Sequence, residues 1–160
     1  MKNYLFLLAA ASAFTFTSCG DDKKEDPTPT PVTPAATKTQ LISAKDWKMT
    51  KQTLNMNGSG DIDITNTFYT ACELDNLEKF AANGTYTVDE GATKCDTADS
   101  QTFTTGTWAF TSNETKIKIT EGTDETEMEI VELTATKMVV KDSGTEQGIT
   151  YTAITTFTAQ

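Results

Sequence analysis

Hydrophobic and polar residues alternate over short distances through most of the chain beyond residue 38. The period of two is clearest in residues 116–120, where isoleucine and lysine take alternate positions, and it recurs in residues 47–54 and 149–157. Polar turns separate these runs, and the many threonines suit a pleated, half-buried surface. Consecutive strands joined by short turns pair antiparallel. We therefore expect an all-β fold, a single antiparallel up-and-down barrel of about eight strands rather than an open sheet or a sandwich.

The strongest local signal in this pattern is a hairpin. Two short apolar runs, residues 77–80 and 86–88, flank Asn83-Gly84. That dipeptide readily adopts the positive φ angles of a tight turn between strands. The sequence therefore predicts two paired strands here.

The second half of the chain shows two irregularities. In residues 128–133, Met128 and Ile130 share one face and Val131 and Leu133 share the other, which indicates a bulge or a change of face between the two pairs. Residues 138–140 form a compact apolar strand, and Ser143-Gly144 predicts a loop that closes near Gly148. The other expected elements are a helical turn at 39–45, a strand or a helical turn within 61–70, a polar loop at 91–101 and a strand at 106–110.

The beginning of the chain is typical of an export signal. A lysine precedes an apolar run of roughly a dozen residues, which is too short for the about 20 residues that span a bilayer. The run ends in Phe-Thr-Ser-Cys, and Cys19 stands where a bacterial lipoprotein signal places its acylated cysteine. We interpret residues 1–18 as a lipoprotein signal peptide and Cys19 as carrying acyl chains such as palmitate. The alternative is an ordinary secretory peptide with an incidental cysteine.

Residues 19–37 have the composition of a tether that begins at the acylated cysteine. All four prolines of the protein lie in this segment among threonines and charged residues, without apolar periodicity. Asp21-Asp22 resembles the export tag of lipoproteins displayed on the outer face of some Gram-negative cells. We expect an outer-membrane lipoprotein of the cell envelope that is exposed at the surface, with a periplasm-facing orientation left open. The folded domain is expected to span residues 38–160.

Two cysteines remain once Cys19 is assigned to lipid. Cys72 and Cys95 form an even pair in an exported chain, and oxidising compartments allow such pairs to form a disulfide. Two free thiols are the alternative.

Charge and composition exclude several functions. The chain carries a net charge of −10 and would repel nucleic acid phosphates, so we expect no nucleic acid partner. It contains no histidine, which removes Ser-His and Cys-His catalysis and the commonest zinc ligand. A partial calcium-loop pattern starts at Asn55, but Asn66 occupies the position of the bidentate glutamate. We expect no enzymatic activity, no cofactor and no metal, and we expect a monomer.

A short modification motif lies in the polar loop. Asp96-Thr97-Ala98 resembles an O-glycosylation acceptor that some Gram-negative anaerobes use on exported proteins. The alternative is an ordinary Asx turn.

Large aromatic residues recur on the strand faces that we expect to point into the barrel. These residues are Trp47, Tyr86, Trp108, Phe110, Tyr151 and Phe157. They either fill the barrel or form the wall of a ligand pocket, because an eight-stranded barrel is just wide enough for both outcomes.

Several of these segments together resemble the lipocalin-like domain of bacterial lipoproteins, over residues 38–160. The resemblance is carried by residues 41–47, 72–76, 80–86 and 89–91, by Cys95, and by residues 106–108 and 130–133. It implies a calyx that binds a small hydrophobic or amphipathic molecule at the envelope, without catalysis. The alternative is a packed barrel that recognises a protein or a glycan through its loops.

The resemblance also makes Trp47 a residue of interest. True lipocalins begin their first strand with Gly-x-Trp and cover the tryptophan with an arginine. Here Lys45 takes the glycine position, and the chain has no arginine. We therefore expect a lysine or apolar contacts to cover Trp47.

Overall fold

The computed structural model describes residues 35–160, which form nine strands and two short helices. None of the helices in these residues is long and apolar enough to cross a membrane. The signal peptide, Cys19 and nearly all of the tether lie outside the described residues. The elements are α1 Lys38–Ser43, β1 Trp47–Met56, β2 Ile62–Asp63, α2 Thr65–Phe68, β3 Leu77–Phe80, β4 Thr85–Asp89, β5 Thr102–Thr111, β6 Lys116–Glu121, β7 Asp124–Leu133, β8 Lys137–Glu146 and β9 Ile149–Ala159.

The sheet closes on itself as an eight-stranded antiparallel barrel. Strands β3 to β9 pair with their neighbours in chain order, and β1 pairs with β3 on one side and β9 on the other. The β1–β9 ladder runs from Trp47 opposite Ala159 to Met56 opposite Tyr151. The two-residue strand β2 is added beside β1, outside the closed ring. The predicted fold class is confirmed.

The hairpin and the bulge are confirmed in detail. β3 pairs with β4, and Gly84 has a φ of +87° in the turn between them. In β7 the register shifts between Ile130 and Glu132, which leaves Val131 56% exposed. The bulge therefore turns the side chain of Val131 outward while Ile130 remains packed against the core.

The loop predicted at Ser143-Gly144 is wrong. β8 continues in register with β9 to Glu146, and the turn lies at Gln147-Gly148, both with positive φ. The ring of Tyr151 lies over Gly144, where an added Cβ would be 2.9 Å from the ring. The glycine is kept in the strand because a neighbouring aromatic ring occupies the space of its missing side chain.

Residues 61–70, for which the sequence allowed either a strand or a helical turn, contain both. β2 pairs Ile62 with Leu54 of β1, and α2 begins two residues after β2 ends. Asp63 accepts hydrogen bonds from the backbone and the hydroxyl of Thr65, at 3.0 and 2.7 Å. These bonds turn the chain from strand into helix.

One end of the barrel is filled by an apolar core that α1 covers. Trp47 is fully buried, and its Nε1 donates a hydrogen bond to the carbonyl oxygen of Ile42 at 2.8 Å. The Ile42 side chain is buried in the same core, whereas Lys45 is exposed. The cover on Trp47 is therefore apolar, with one backbone hydrogen bond.

Aromatic rings form a large part of the same core. Phe80 contacts Tyr86 with ring centroids 5.2 Å apart, and Phe80 meets Trp108 edge to face at 5.7 Å. Trp108 in turn packs edge to face on Phe110 at 5.2 Å. Such tilted and edge-to-face contacts are the favoured arrangements of aromatic pairs.

The disulfide between Cys72 and Cys95 is confirmed. It joins the segment between α2 and β3 to the loop between β4 and β5. Neither segment belongs to the strand ladder, so the covalent bond fixes two connections that the sheet itself does not hold together.

Candidate functional site

A cavity of about 430 Å³ lies inside the barrel and is partly open to solvent. Its apolar lining comes from inward positions of six strands: Met49, Val88, Ile119, Met128, Val140 and Phe157. Its polar lining consists of Gln52, Tyr69, Glu73, Asn76, Glu78, Tyr86, Glu121, Asp124, Thr126 and Thr155. Ile119, Val140 and Phe157 are buried, whereas Glu121, Asp124 and Thr126 are exposed. The cavity therefore has an apolar floor and a polar, acidic mouth.

The predicted aromatic residues fall into three groups. Tyr86 and Phe157 line the cavity. Trp47, Trp108 and Phe110 belong to the packed end of the barrel and do not line the cavity. The barrel is thus filled at one end and hollow at the other.

Tyr151 belongs to a second, shallower cavity of about 420 Å³ at the rim. Leu54, Met56 and Ile149 form its apolar side, and Glu146 and Gln147 complete it. Met56 and Ile149 are both largely exposed. This rim is the turn between β8 and β9 together with the end of β1.

The acidic residues of the main cavity were missed by reasoning from the sequence. Glu78 lies two positions before Phe80, and Glu121 lies two positions after Ile119. Positions two apart share a face of a strand, so both carboxylates point to the same side as these core residues. The alternation of residues along β3 and β6 therefore indicates that these two carboxylates face the interior.

Glu78 is the most perturbed of these groups. The pKa of Glu78 is raised to about 7, mainly by burial; a hydrogen bond from the Tyr86 hydroxyl opposes the shift, and the nearby charge of Glu121 adds to it. Burial also raises the pKa of Tyr86, and the Glu78 charge adds to this shift. Part of the Glu78 side chain remains accessible because it faces the cavity. Near pH 7 the Glu78 carboxyl is therefore present in both its protonated and its charged form.

This shift predicts a pH-dependent effect of Glu78→Gln on stability. The carboxyl binds its proton more tightly in the folded state than in the unfolded state, so wild-type stability falls as pH rises from about 4.5 to about 7. The glutamine variant has no proton to lose. We expect it to exceed the wild type by about 2 kcal/mol in free energy of unfolding at pH 8, and the difference to vanish below pH of about 4.5.

Urea unfolding at a series of pH values measures this difference. Glu127→Gln is the matched control, because Glu127 lies on the outer face of β7 and forms an ion pair with Lys116 at 2.8 Å. That variant should gain no stability at pH 8. Equal behaviour of the two variants would contradict the assignment of a buried charge to Glu78.

The disulfide holds one side of the cavity mouth. Glu73 and Asn76 follow Cys72 directly and line the cavity. Glu73 is also anchored locally, since it accepts hydrogen bonds from the backbone and hydroxyl of Thr70 at 2.7 and 2.8 Å. These hydrogen bonds lower the pKa of Glu73. The mouth is thus fixed by one covalent bond and by short-range hydrogen bonds.

Thr97 lies in the exposed loop between β4 and β5, away from the lining of the cavity. Next to it, Asp96 accepts a hydrogen bond from the backbone of Ala98 at 2.9 Å, which is the bond of an Asx turn. Glycosylation of Thr97 remains a prediction from the sequence.

A comparison with protein-family models gives a match. Residues 44–140, more than half of the chain, match the family model of the lipocalin-like domain. The matched region contains β1 to β7 and the start of β8. No match was found among curated protein sequences.

Proposed function

Because the chain belongs to the lipocalin-like domain family, we propose that it binds a small hydrophobic or amphipathic molecule in the barrel cavity, without a catalytic step. The observation that carries this proposal is the cavity itself. Its volume of about 430 Å³ lies within the range of small-molecule sites. A floor of buried aliphatic and aromatic side chains and a polar mouth suit a molecule with an apolar body and a polar end.

The competing hypothesis is a packed barrel that presents acidic loops to a protein or a glycan. A barrel used only as a scaffold gains stability when its interior is filled, since an empty cavity forfeits dispersion contacts. The hollow half of this barrel therefore favours a ligand over the scaffold role.

Uptake of an uncharged, environment-sensitive dye tests the proposal. N-phenyl-1-naphthylamine should bind with a saturable rise in fluorescence and a stoichiometry of about one per chain, as expected for one apolar pocket. Absence of saturable uptake would support the scaffold hypothesis instead.

A pair of threonine variants locates the dye. Thr126 lines the cavity, whereas Thr105 lies on the outer face of β5 and is exposed. Thr126→Trp should fill the mouth and weaken binding by about tenfold or more, the effect of losing a few apolar contacts. Thr105→Trp adds the same side chain outside the barrel and should leave binding unchanged. Equal affinity for both variants would place the dye elsewhere.

We further propose that acyl chains on Cys19 anchor the protein in the outer membrane and that the tether displays the domain at the cell surface. The sequence of the first 37 residues supports this proposal. Several acyl chains together hold a protein on a membrane stably. Cys19→Ala should release the protein into the soluble fraction and remove the lipid mass from the intact protein. A variant that still partitions with membranes would contradict the anchor.

A further inference from the structure

We propose that the ligand of the main cavity carries a positively charged amine at one end and an apolar tail at the other. This inference rests on the proposed function, because it specifies the chemistry of the same site. Four carboxylates line the cavity: Glu73, Glu78, Glu121 and Asp124. No lysine is among its lining residues.

The acidic groups that line the cavity differ from the glutamates on the outer face of β7. On the outer surface, Glu125 pairs with Lys118 at 3.0 Å and Glu132 pairs with Lys137 at 2.8 Å. Glu127 and Glu129 also have lysine partners. Within residues 35–160, by contrast, none of the four carboxylates of the cavity forms an ion pair. Lysines neutralise the outer glutamates and leave the inner ones for another cation.

Tyr86 gives an independent indication. Only 4% of this residue is exposed, it lines the cavity, and its hydroxyl lies close to the Glu78 carboxylate. A phenol that donates to a carboxylate keeps its acceptor lone pairs, and the carboxylate keeps most of its own. Both groups therefore present acceptors to the cavity, with no remaining donor between them.

Three amide and phenol side chains of the wall already donate hydrogen bonds within the protein. Tyr69 donates to the Gln52 side-chain oxygen at 2.7 Å, and the Gln52 amide donates to Thr155 at 2.9 Å. The Asn76 amide, with its nitrogen oriented to satisfy its neighbours, donates to the Cys72 carbonyl and to Glu90. Among these residues, the Tyr69 hydroxyl and the Asn76 amide have no donor left for a ligand.

An alkylammonium group complements this set of groups. It supplies three donors and no acceptor, and its positive charge neutralises carboxylates that have no lysine partner. Tyr86 and Phe157 also place aromatic rings in the wall, and aromatic faces attract cations. A carboxylate or phosphate ligand would instead meet like charges and acceptors facing acceptors.

Three probes with the same ten-carbon tail test this inference in competition with the dye at pH 8. These probes are decylamine, decanol and decanoate, which are cationic, neutral and anionic at this pH. We expect decylamine to displace the dye at a concentration about tenfold or more below that of decanol, and decanoate to be the weakest, as a charge-assisted hydrogen bond implies. If decanol matches or exceeds decylamine while the dye still binds, the inference fails but the proposed function stands. If the dye itself shows no saturable binding, the proposed function fails.

Charge-neutral variants identify the groups responsible. Glu78→Gln should reduce the preference for decylamine over decanol to about threefold or less, as the loss of one charge-assisted bond implies. Glu121→Gln should reduce the same preference, which provides a second variant. Glu127→Gln on the outer face is the matched control and should leave the preference unchanged. A preference that survives both inner variants would overturn the inference.

Discussion

Trp47→Ala is expected to lower the free energy of unfolding by about 3–5 kcal/mol, the cost of truncating a buried aromatic residue. Trp47 is fully buried, and it connects three parts of the fold. It begins β1, it lies in the apolar core, and it donates the hydrogen bond that fixes α1 at the Ile42 carbonyl. Its loss would leave a cavity and an unsatisfied carbonyl at the closed end of the barrel.

Urea unfolding followed by circular dichroism measures this loss. Phe103→Ala is the matched control, because Phe103 is also aromatic and on a strand but is 49% exposed. It should cost less than about 1 kcal/mol, as is usual for exposed positions. A loss at Trp47 no larger than the loss at Phe103 would contradict the role of Trp47 in closing the barrel.

Removal of the disulfide by Cys72→Ala and Cys95→Ala is expected to cost about 3 kcal/mol. The bond closes a loop with a sequence separation of 23, and the chain-entropy model gives a contribution of this size for loops of such length. The strand ladder should persist, since neither cysteine lies in a strand. The segment that carries Glu73 and Asn76 should become mobile, so dye binding should weaken as well.

Thermal unfolding of the double variant, with and without reductant, separates the disulfide from other effects of the substitutions. The wild type should lose stability on reduction, whereas the variant should be insensitive to reductant. Equal melting temperatures for wild type and variant in the absence of reductant would contradict the stabilising role of the bond.

Local features of the fold could be predicted from the sequence because their causes are local. Asn83-Gly84 between two apolar runs determines the β3–β4 hairpin through the φ angles that it permits. The change of face after Ile130 predicts the bulge in β7, since a shift by one residue inverts every side chain. Closure into a barrel followed from the number of strands and the shortness of their connections.

The interior of the barrel could be predicted only in part. Alternation shows that Glu78 shares a face with Phe80. A carboxylate on that face is tolerated only if it lies beside a cavity that solvent can enter. That space depends on side chains from strands distant in sequence, such as Val140 and Phe157. The extension of β8 was missed for a similar reason, because Gly144 is tolerated through its contact with Tyr151 on the next strand.

The claim that an amphipathic amine binds inside the barrel is tested most directly by a crystal structure of the protein with decylamine. The structure should show the alkyl chain between Val140 and Phe157, with the nitrogen within hydrogen-bonding distance of Glu78. Density at the rim beside Met56 and Ile149, or an interior without ligand at saturating decylamine, would contradict it.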